Sequence, residues 1–278
     1  MISVVVASFN GAKYIEEQIL SILNQSEKVD EIIVSDDCSS DETIGIIGKI
    51  QEMSGNSVVK VRQNQKNQGY IRNFYNGISQ ARGDYIFLSD QDDIWEKDKV
   101  KRMIECMKLN DIDVLCSNFS LIDSTGAPYE ENAILPSYLR NAGEGLSRIE
   151  FLPLLFGNIA QGCTYCLTKK IQQIYLEVDC RNVIHDYQIM LIGAALGKAF
   201  FLNETLIKYR LHGSNQVGFA QKKSLKHVKM HPCFKKPKVA EFLCSLKKVV
   251  VVPNYKLAML ILYLRLPVWR AVLNRFFR

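Results

Sequence analysis

The amino-acid sequence predicts an α/β fold built on a doubly wound, mostly parallel sheet. Through residues 1–115, short apolar runs rich in β-branched residues alternate with segments whose apolar residues recur at helical spacing. Helices between consecutive strands imply parallel crossover connections. Polar clusters follow the ends of the apolar runs, which is where sheets of this kind bind ligands. The 278 residues, 47% of them hydrophobic, supply enough apolar material for a large core.

Strands and helices alternate throughout this first part. The predicted strands are Ile2–Ala7, Glu31–Ser35, Val58–Arg62, Tyr85–Ser89 and Asp113–Ser117. The predicted helices cover Ile15–Asn24, Ser39–Met53, Tyr70–Ala81 and Lys97–Leu109. Asn10 with Gly11, and later Gly83, interrupt the apolar pattern where turns are needed. Ser39, followed by Glu42 three residues later, indicates a capping box at the start of the second helix.

The second half of the chain is less regular, and its pattern contains no internal repeat. The predicted elements are a strand and turn over Phe119–Pro128, a strand over Gln161–Thr168, a helix from there to Glu177, a helix over Ile184–Leu196 and a strand over Thr205–Tyr209.

Basic residues concentrate at the carboxyl-terminal end. Residues 221–278 carry 14 Lys and Arg against one acid, a net charge of +13, whereas the remainder of the chain carries −7. We therefore predict one domain over residues 1–218 and a basic helical tail over residues 219–278. The apolar run Leu257–Leu264 is shorter than the roughly 20 residues that a spanning helix needs. An amphipathic segment on an anionic membrane surface is favoured, with lipid contacts from Leu257, Leu260, Ile261, Leu264 and Trp269.

Two alternative roles for the tail stay open. It could be a solvated, solubilising segment, or a nucleic-acid patch in which basic residues alternate with aromatic ones such as Tyr255 and Trp269. Membrane docking is preferred because each basic residue near an anionic leaflet contributes about 1 kcal/mol. We do not expect nucleic acid as a partner.

The start of the chain and its cysteines predict the compartment. An apolar run follows Met1 directly, without a basic leader or a cleavage site, and the eight cysteines are irregularly spaced. We expect reduced thiols in a cytoplasmic protein, held peripherally on the inner face of the cell membrane by its tail. Cys163 and Cys166 form a C-x-x-C pair without further zinc ligands at standard spacing, and we expect them to be packing thiols.

Three carboxylates in four positions follow the fourth predicted strand. Asp90, Asp92 and Asp93 repel each other unless a cation compensates them. Mg²⁺ takes a few carboxylates together with substrate phosphates. The alternative is a solvated acidic loop that caps the helix at Lys97, but the place of these acids at the carboxyl end of a strand favours a ligand site.

Asp36 and Asp37 end the second strand, where an acid can accept hydrogen bonds from a ribose or a base edge. The alternative is capping of the next helix by Asp37 and Ser39. Neither a G-x-G-x-x-G run after the first strand nor a P-loop occurs, so the usual NAD and ATP cradles are excluded.

Two further candidates lie in the second half. Asp186 begins a predicted helix, where the helix dipole alone could explain an acid. His212 follows a predicted strand, and a lone histidine there is more often a hydrogen-bonded structural residue. Gly213 and Gly218 would allow the loop around His212 to move.

Together these segments resemble the family 2 glycosyltransferases, which have the Rossmann-like GT-A fold. The matching segments are residues 3–10, 36–43, 67–69, 72–73, 83–95, 185–186 and 209–215, and they occur in the family's order. The resemblance implies a nucleotide-diphosphate sugar as donor and Mg²⁺ or Mn²⁺ as cofactor. It does not cover the tail.

The resemblance also implies roles for individual residues. Asp186 would be the general base, and Asp92 and His212 would contact the metal. The donor would be bound by Ser8, Phe9, Asn10, Asp36, Asp37, Asn67, Gly69, Arg72, Asp90, Gln91 and Asp93. The middle residue of the acidic motif is usually small, and forms with Gln at this place, as at Gln91, look similar to rhamnosyltransferases of surface-polysaccharide pathways.

The function we expect is inverting transfer of a sugar to a lipid-linked glycan in the synthesis of capsule, O-antigen or exopolysaccharide. The enzyme alternative is a sugar nucleotidyltransferase, which would release pyrophosphate from a nucleoside triphosphate. The alternative outside enzymes is a nucleic-acid-binding module that uses the basic tail.

Overall fold

A computed structural model of the protein describes residues 1–54, 58–129, 145–213 and 236–263. The first four strands form the parallel part of its central sheet, as predicted. They are β1 (Ile2–Ser8), β2 (Glu31–Asp36), β3 (Val59–Gln63) and β4 (Tyr85–Ser89), in the order β3-β2-β1-β4. Three helices connect them, α1 (Ile15–Leu23), α2 (Thr43–Met53) and α3 (Tyr70–Gln80). The carboxyl ends of these strands therefore meet at one edge of the sheet.

The second part of the sheet mixes parallel and antiparallel pairs. Its strands are β5 (Ile94–Trp95), β6 (Val114–Ile122), β7 (Leu146–Arg148), β8 (Tyr165–Thr168) and β9 (Ala199–Arg210). The sheet continues β4-β8-β6-β9-β5, and β7 also pairs with β9. β8 is antiparallel to both of its neighbours, whereas β6 and β9 are parallel. The helices of this part are α4 (Lys99–Asn110), α5 (Phe151–Leu154), α6 (Lys169–Val178), α7 (His185–Ala195), α8 (Lys236–Val249) and α9 (Tyr255–Tyr263).

Some predicted boundaries are wrong in this second part. The strand expected at Gln161 begins only at Tyr165, because residues Gly162–Thr164 form a turn of 3-10 helix. β9 begins at Ala199, six residues before the expected Thr205, since it continues through two polar residues. The expected turn after Phe119 is present: Asp123 accepts hydrogen bonds from the backbone N–H groups of Thr125 (2.8 Å) and Ala127 (3.1 Å).

The two faces of the sheet carry separate cores. On β1, Val4 and Val6 face the helices α1, α2 and α4, while Val5 faces α3, α6, α7 and α8. α7 is buried on all sides, from His185 to Ala194, so it lies in the interior and not on the surface. This placement allows the first turn of α7 to present polar side chains inside the protein.

The two carboxyl-terminal helices pack on the same core. Val239, Phe242 and Leu243 of α8 are buried beside α6. On α9, Leu257 and Leu260 are exposed as expected, but Ile261 is 3% exposed and packs inward, so its predicted lipid contact is wrong for this arrangement. Leu264, Trp269 and Gly218 lie outside the described residues. Within the described ranges, every helix is too short or too polar to cross a membrane.

Candidate active site

A pocket of about 480 Å³ lies at the carboxyl ends of the parallel strands. Its volume is within the range of about 300–1,000 Å³ that is usual for small-molecule sites. The structure brings eleven of the predicted residues to its wall, namely Ser8, Phe9, Asn10, Asp37, Asn67, Gly69, Asp90, Gln91, Asp92, Asp186 and His212. Three predicted residues, Asp36, Arg72 and Asp93, are not among the residues that line it.

Asp36 and Asp37 are adjacent but have different surroundings. Asp36 is fully buried and accepts hydrogen bonds from the hydroxyl of Ser8 (2.8 Å) and from the hydroxyl (2.5 Å) and N–H (2.8 Å) of Ser39. Ser39 therefore does not cap α2, and the predicted capping box is wrong. Asp36 ties the end of β1 to the loop after β2, a structural role that leaves Asp37 to face the pocket.

Asp37 shapes the loop on the far side of the pocket. Its carboxylate accepts hydrogen bonds from the backbone N–H groups of Gln68 (2.8 Å) and Gly69 (2.7 Å). Gly69 has a φ of +82°, a left-handed conformation that favours glycine. Arg72 lies on α3 beyond this loop, where its Nε donates to Gln68 Oε1 at 3.3 Å.

Asn73 is a site residue absent from the predicted set, although its position belongs to one of the matched segments. Its Nδ2 donates to the carbonyl oxygens of Ser8 (3.2 Å) and Ser35 (2.7 Å), and its Oδ1 accepts from the Ser35 hydroxyl (2.8 Å). Asn73 is 2% exposed and lines the pocket. It holds the carboxyl ends of β1 and β2 together, a role that only the folded chain reveals.

Gln91 connects the acidic motif to the loop after β1. Its Oε1 accepts the backbone N–H of Phe9 at 2.8 Å, and its Nε2 donates to the Phe9 carbonyl at 3.2 Å. A Cβ atom on Gly11 would lie 2.2 Å from Gln91 Oε1, so Gly11 gives this amide its room. The amide therefore fixes the position of the Phe9 backbone in the wall of the pocket.

The three acids of the motif are held at different depths. Asp92 Oδ2 lies 2.7 Å from His212 Nε2, and both side chains are nearly buried. Asp93 is deeper, at 1% exposure, and accepts the backbone N–H of Arg210 at 3.0 Å. The ligand atoms of Asp90, Asp93 and Cys163 lie within 4.8 Å of one another.

Burial, together with repulsion between the carboxylates, raises the pKa of two of the acids. Burial, and then the negative charge of Asp92, raise the pKa of Asp93 to about 7. Burial and the charges of Asp93 and Asp92 raise the pKa of Asp90 well above its ordinary value. The amine of Lys99 is buried nearby, where it donates to the Cys163 carbonyl at 2.9 Å, and burial lowers its pKa to about 7.

The donor set fits a hard divalent cation. Asp90, Asp92 and His212 line the pocket and offer carboxylate oxygens and an imidazole nitrogen, which suit Mg²⁺ or Mn²⁺. Burial first, and neighbouring carboxylates second, raise the pKa of Asp90 and Asp93, and a bound cation would favour the charged forms of both. Cys163 is a softer ligand, and burial raises the pKa of its thiol well above the ordinary value, so it belongs to the packing beneath the acids.

Asp186 faces the same pocket from the first turn of α7. It is 4% exposed and accepts hydrogen bonds from its neighbour's backbone, Tyr187 N–H (2.6 Å), and from Asn158 Nδ2 (2.9 Å). Burial outweighs these bonds and raises its pKa to about 7. His185 precedes it and also lines the pocket, with Gly162 opposite. His185 is not among the predicted site residues, although its position belongs to one of the matched segments.

The sequence profile of glycosyl transferase family 2 matches residues 3–164. The chain belongs to this family. The dTDP-rhamnosyl transferase RfbG of Shigella flexneri is 30% identical over 224 residues, which are 76% of this chain and 73% of RfbG. TuaG of Bacillus subtilis, a glycosyltransferase named for teichuronic acid biosynthesis, is 27% identical over 212 residues, 76% of this chain and 79% of TuaG. The chain is thus a glycosyltransferase similar to proteins of cell-surface polysaccharide synthesis, as its motifs predicted.

Solved structures confirm the predicted GT-A fold. Residues 1–349 of S. aureus TarS, in complex with UDP-GlcNAc, have a TM-score of 0.62 and 19% identity, over 88% of this chain and 66% of that fragment. The mannosyltransferase PcManGT of Pyrobaculum calidifontis, in complex with GDP-Man and Mn²⁺, has a TM-score of 0.58 and 13% identity, over 94% of this chain and 68% of that one. The chain spans about two thirds of the length of each of these two structures.

Proposed function

We propose that this member of family 2 is a metal-dependent, inverting glycosyltransferase that moves a sugar from a nucleoside-diphosphate donor to a cell-surface glycan. One observation carries the proposal: Asp186, a buried carboxylate with a pKa of about 7, faces the same pocket as Asp90 and Asp92. A base and a cation-binding cluster in one cavity are what displacement at a diphosphate-linked sugar requires.

The pocket has two ends with different chemistry, which supports an orientation for the donor. The nucleoside would lie against Ser8–Asn10 and Asp37, where backbone and carboxylate groups are fixed by hydrogen bonds. The diphosphate would lie beside Asp90, Asp92 and His212. These three side chains would hold Mg²⁺ or Mn²⁺, which neutralises charge on the departing diphosphate when it is bound. The relationship to RfbG and the Gln91 variant of the motif support rhamnose as the sugar.

Asp186 would act as the general base. It accepts the proton of the acceptor hydroxyl while that oxygen forms a bond to the anomeric carbon of the sugar. The bond from the anomeric carbon to the diphosphate oxygen breaks, and its electron pair leaves with the nucleoside diphosphate. Attack and departure take place on opposite faces, so a single displacement inverts the anomeric centre. A carboxylate suffices because the transition state has oxocarbenium character.

The proposed acceptor is a lipid-linked glycan at the inner face of the cell membrane. The relationship to TuaG supports a surface polysaccharide as the product. The +13 charge of residues 221–278 and the exposed side chains of Leu257 and Leu260 support docking on an anionic leaflet.

The test is nucleoside diphosphate release by the full chain from dTDP-rhamnose, UDP-GlcNAc and GDP-mannose, with Mg²⁺ or Mn²⁺. We expect turnover of one donor, and loss of that turnover with EDTA. Pyrophosphate release from a nucleoside triphosphate and a sugar phosphate would instead identify a nucleotidyltransferase. RNA binding that falls steeply with salt and survives replacement of Asp90 and Asp92 would identify a nucleic-acid module.

A further inference from the structure

His185 carries hydrogen-bonding groups that the protein leaves unused. Its side chain is 3% exposed, and among the described residues neither Nδ1 nor Nε2 has a hydrogen-bond partner. Burial lowers the pKa of the imidazole to about 3, so the ring is neutral and has one N–H donor and one acceptor. A buried polar group without a partner costs free energy. Because His185 lines the pocket, a bound ligand can supply the partner.

The imidazole ring is held in a fixed orientation. It stacks on Phe74 with ring centroids 3.8 Å apart and an interplanar angle of 22°. It belongs to the first residue of α7, directly before Asp186, and the rest of that helix is packed in the core. The two side chains therefore enter the pocket from one rigid element.

Gly162 packs directly against both side chains. A Cβ atom on Gly162 would lie 2.8 Å from His185 Nε2 and 3.6 Å from Asp186 Oδ2. Gly162 itself lines the pocket. His185 Nε2 and Asp186 Oδ2 thus lie close to one point beside the Gly162 backbone, so one small polar atom in the pocket can approach the imidazole and the carboxylate together.

We infer that His185 binds the attacking oxygen of the acceptor and orients it toward the anomeric carbon. This inference rests on the function proposed above. The hydroxyl has one proton, and Asp186 receives it. Nε2–H must therefore donate to one lone pair of the oxygen, while another lone pair forms the new bond to carbon. His185 neither gains nor loses a proton in this step. A water molecule would occupy the same position when the donor is hydrolysed without an acceptor.

Replacing His185 by Phe separates this role from a structural one. Phenylalanine keeps the stacking on Phe74 and removes both nitrogens. We expect nucleoside diphosphate release from the accepted donor to fall about 10- to 100-fold, because orientation of the attacking oxygen is lost. The dissociation constant of the donor should stay within twofold of wild type. The midpoint of thermal unfolding should be equal or higher, because unpartnered polar atoms leave a buried site.

A second variant moves the imidazole without changing His185 itself. Gly162→Ala puts a methyl group 2.8 Å from Nε2, which displaces the ring, and should lower release while sparing donor affinity. Gly48→Ala is the matched control, because a Cβ there meets no atom within 4 Å, and its release should equal wild type.

The outcomes separate this inference from the function on which it rests. Release within twofold of wild type in both His185→Phe and Gly162→Ala would overturn it. An equal loss of donor affinity would also overturn it, because that result would show that His185 contacts the donor. If His185→Phe lowers the unfolding midpoint by several degrees, Gly162→Ala decides alone. A wild-type protein that turns over none of the three donors would refute the proposed function, and this inference with it.

Discussion

Replacing Asp186 by Asn tests the proposed base directly, because the amide keeps the shape of the carboxylate and cannot take a proton. Burial raises the pKa of Asp186 from 3.8 to about 7, so about half of the wild-type protein has the base form at pH 7 and about a tenth at pH 6. Below pH 7, turnover at saturating donor should therefore rise about tenfold per pH unit, and above it level off. Asp186→Asn should lower turnover about 10²- to 10⁴-fold.

The same pKa shift predicts an opposite effect on stability. A raised pKa means that the folded state binds the proton more tightly than the unfolded state, so stability falls as pH rises from about 4 to about 7. A shift of about three pKa units corresponds to at most about 4 kcal/mol, which Asp186→Asn does not lose. The variant should therefore gain stability relative to wild type as pH rises through this window.

Two measurements test the predicted pH dependence of turnover and of stability. Nucleoside diphosphate release is followed between pH 5.5 and 8.5 at saturating donor, and urea unfolding is followed in EDTA between pH 5 and 8. The donor dissociation constant of Asp186→Asn serves as the control and should stay within a few-fold of wild type. A flat pH profile of turnover in the wild type, or a variant within tenfold of wild-type turnover, would show that the base lies elsewhere.

Three further changes test other parts of the molecule. Asp92→Ala should abolish the increase in donor affinity that Mn²⁺ causes, and a calorimetric titration in which that increase persists would contradict its place at the metal. Gly77→Ala puts a Cβ 2.5 Å from Val5 Cγ1 and should cost about 1–3 kcal/mol in urea unfolding, whereas Gly48→Ala should gain up to about 1 kcal/mol. Removal of residues 264–278, four of them arginine, should weaken sedimentation with anionic liposomes without unfolding the domain, and unchanged sedimentation would refute docking by this end.

The first half of the fold could be predicted because three of its strands, β1, β2 and β4, are buried on both faces. The apolar runs of β1 and β2 end at polar residues, and the helix α1 separates the two strands in the chain. This pattern implies a parallel crossover connection. The strand boundaries of the second half could not be predicted, because the residues along its strands are buried unevenly. β9 passes through Asn203 and Glu204, whose side chains are only half-buried, and this interrupts the apolar pattern in the middle of a continuous strand.

Adjacent residues in the site show a second limit of sequence reasoning. Asp36 and Asp37 are adjacent and have the same side chain. The carboxylate of Asp36 is hydrogen-bonded to Ser8 and Ser39, whereas Asp37 faces the pocket. Side chains alternate along a strand, and the direction in which each points depends on where the strand ends. The carboxyl-terminal part of the chain is a further example. The basic residues of α8 do not indicate that this helix packs against α6, which only the structure shows.

The hydrogen bonding of the pocket differs between its two ends, and this difference bears on what each end does. Toward β1 and β2, the polar groups of Asp37, Asn73 and Gln91 are joined to backbone atoms, so they give the cavity its shape before any ligand arrives. Toward α7, His185 has no hydrogen-bond partner among the described residues, and burial raises the pKa of Asp186. An imidazole without a partner, and a buried carboxylate whose charged form is disfavoured, both make the free protein less stable. A bound substrate can satisfy them, so part of its binding free energy can align the attacking oxygen with the base. Groups already bonded to the backbone suit the part of the substrate that is only held, and an imidazole without a partner suits the part that reacts.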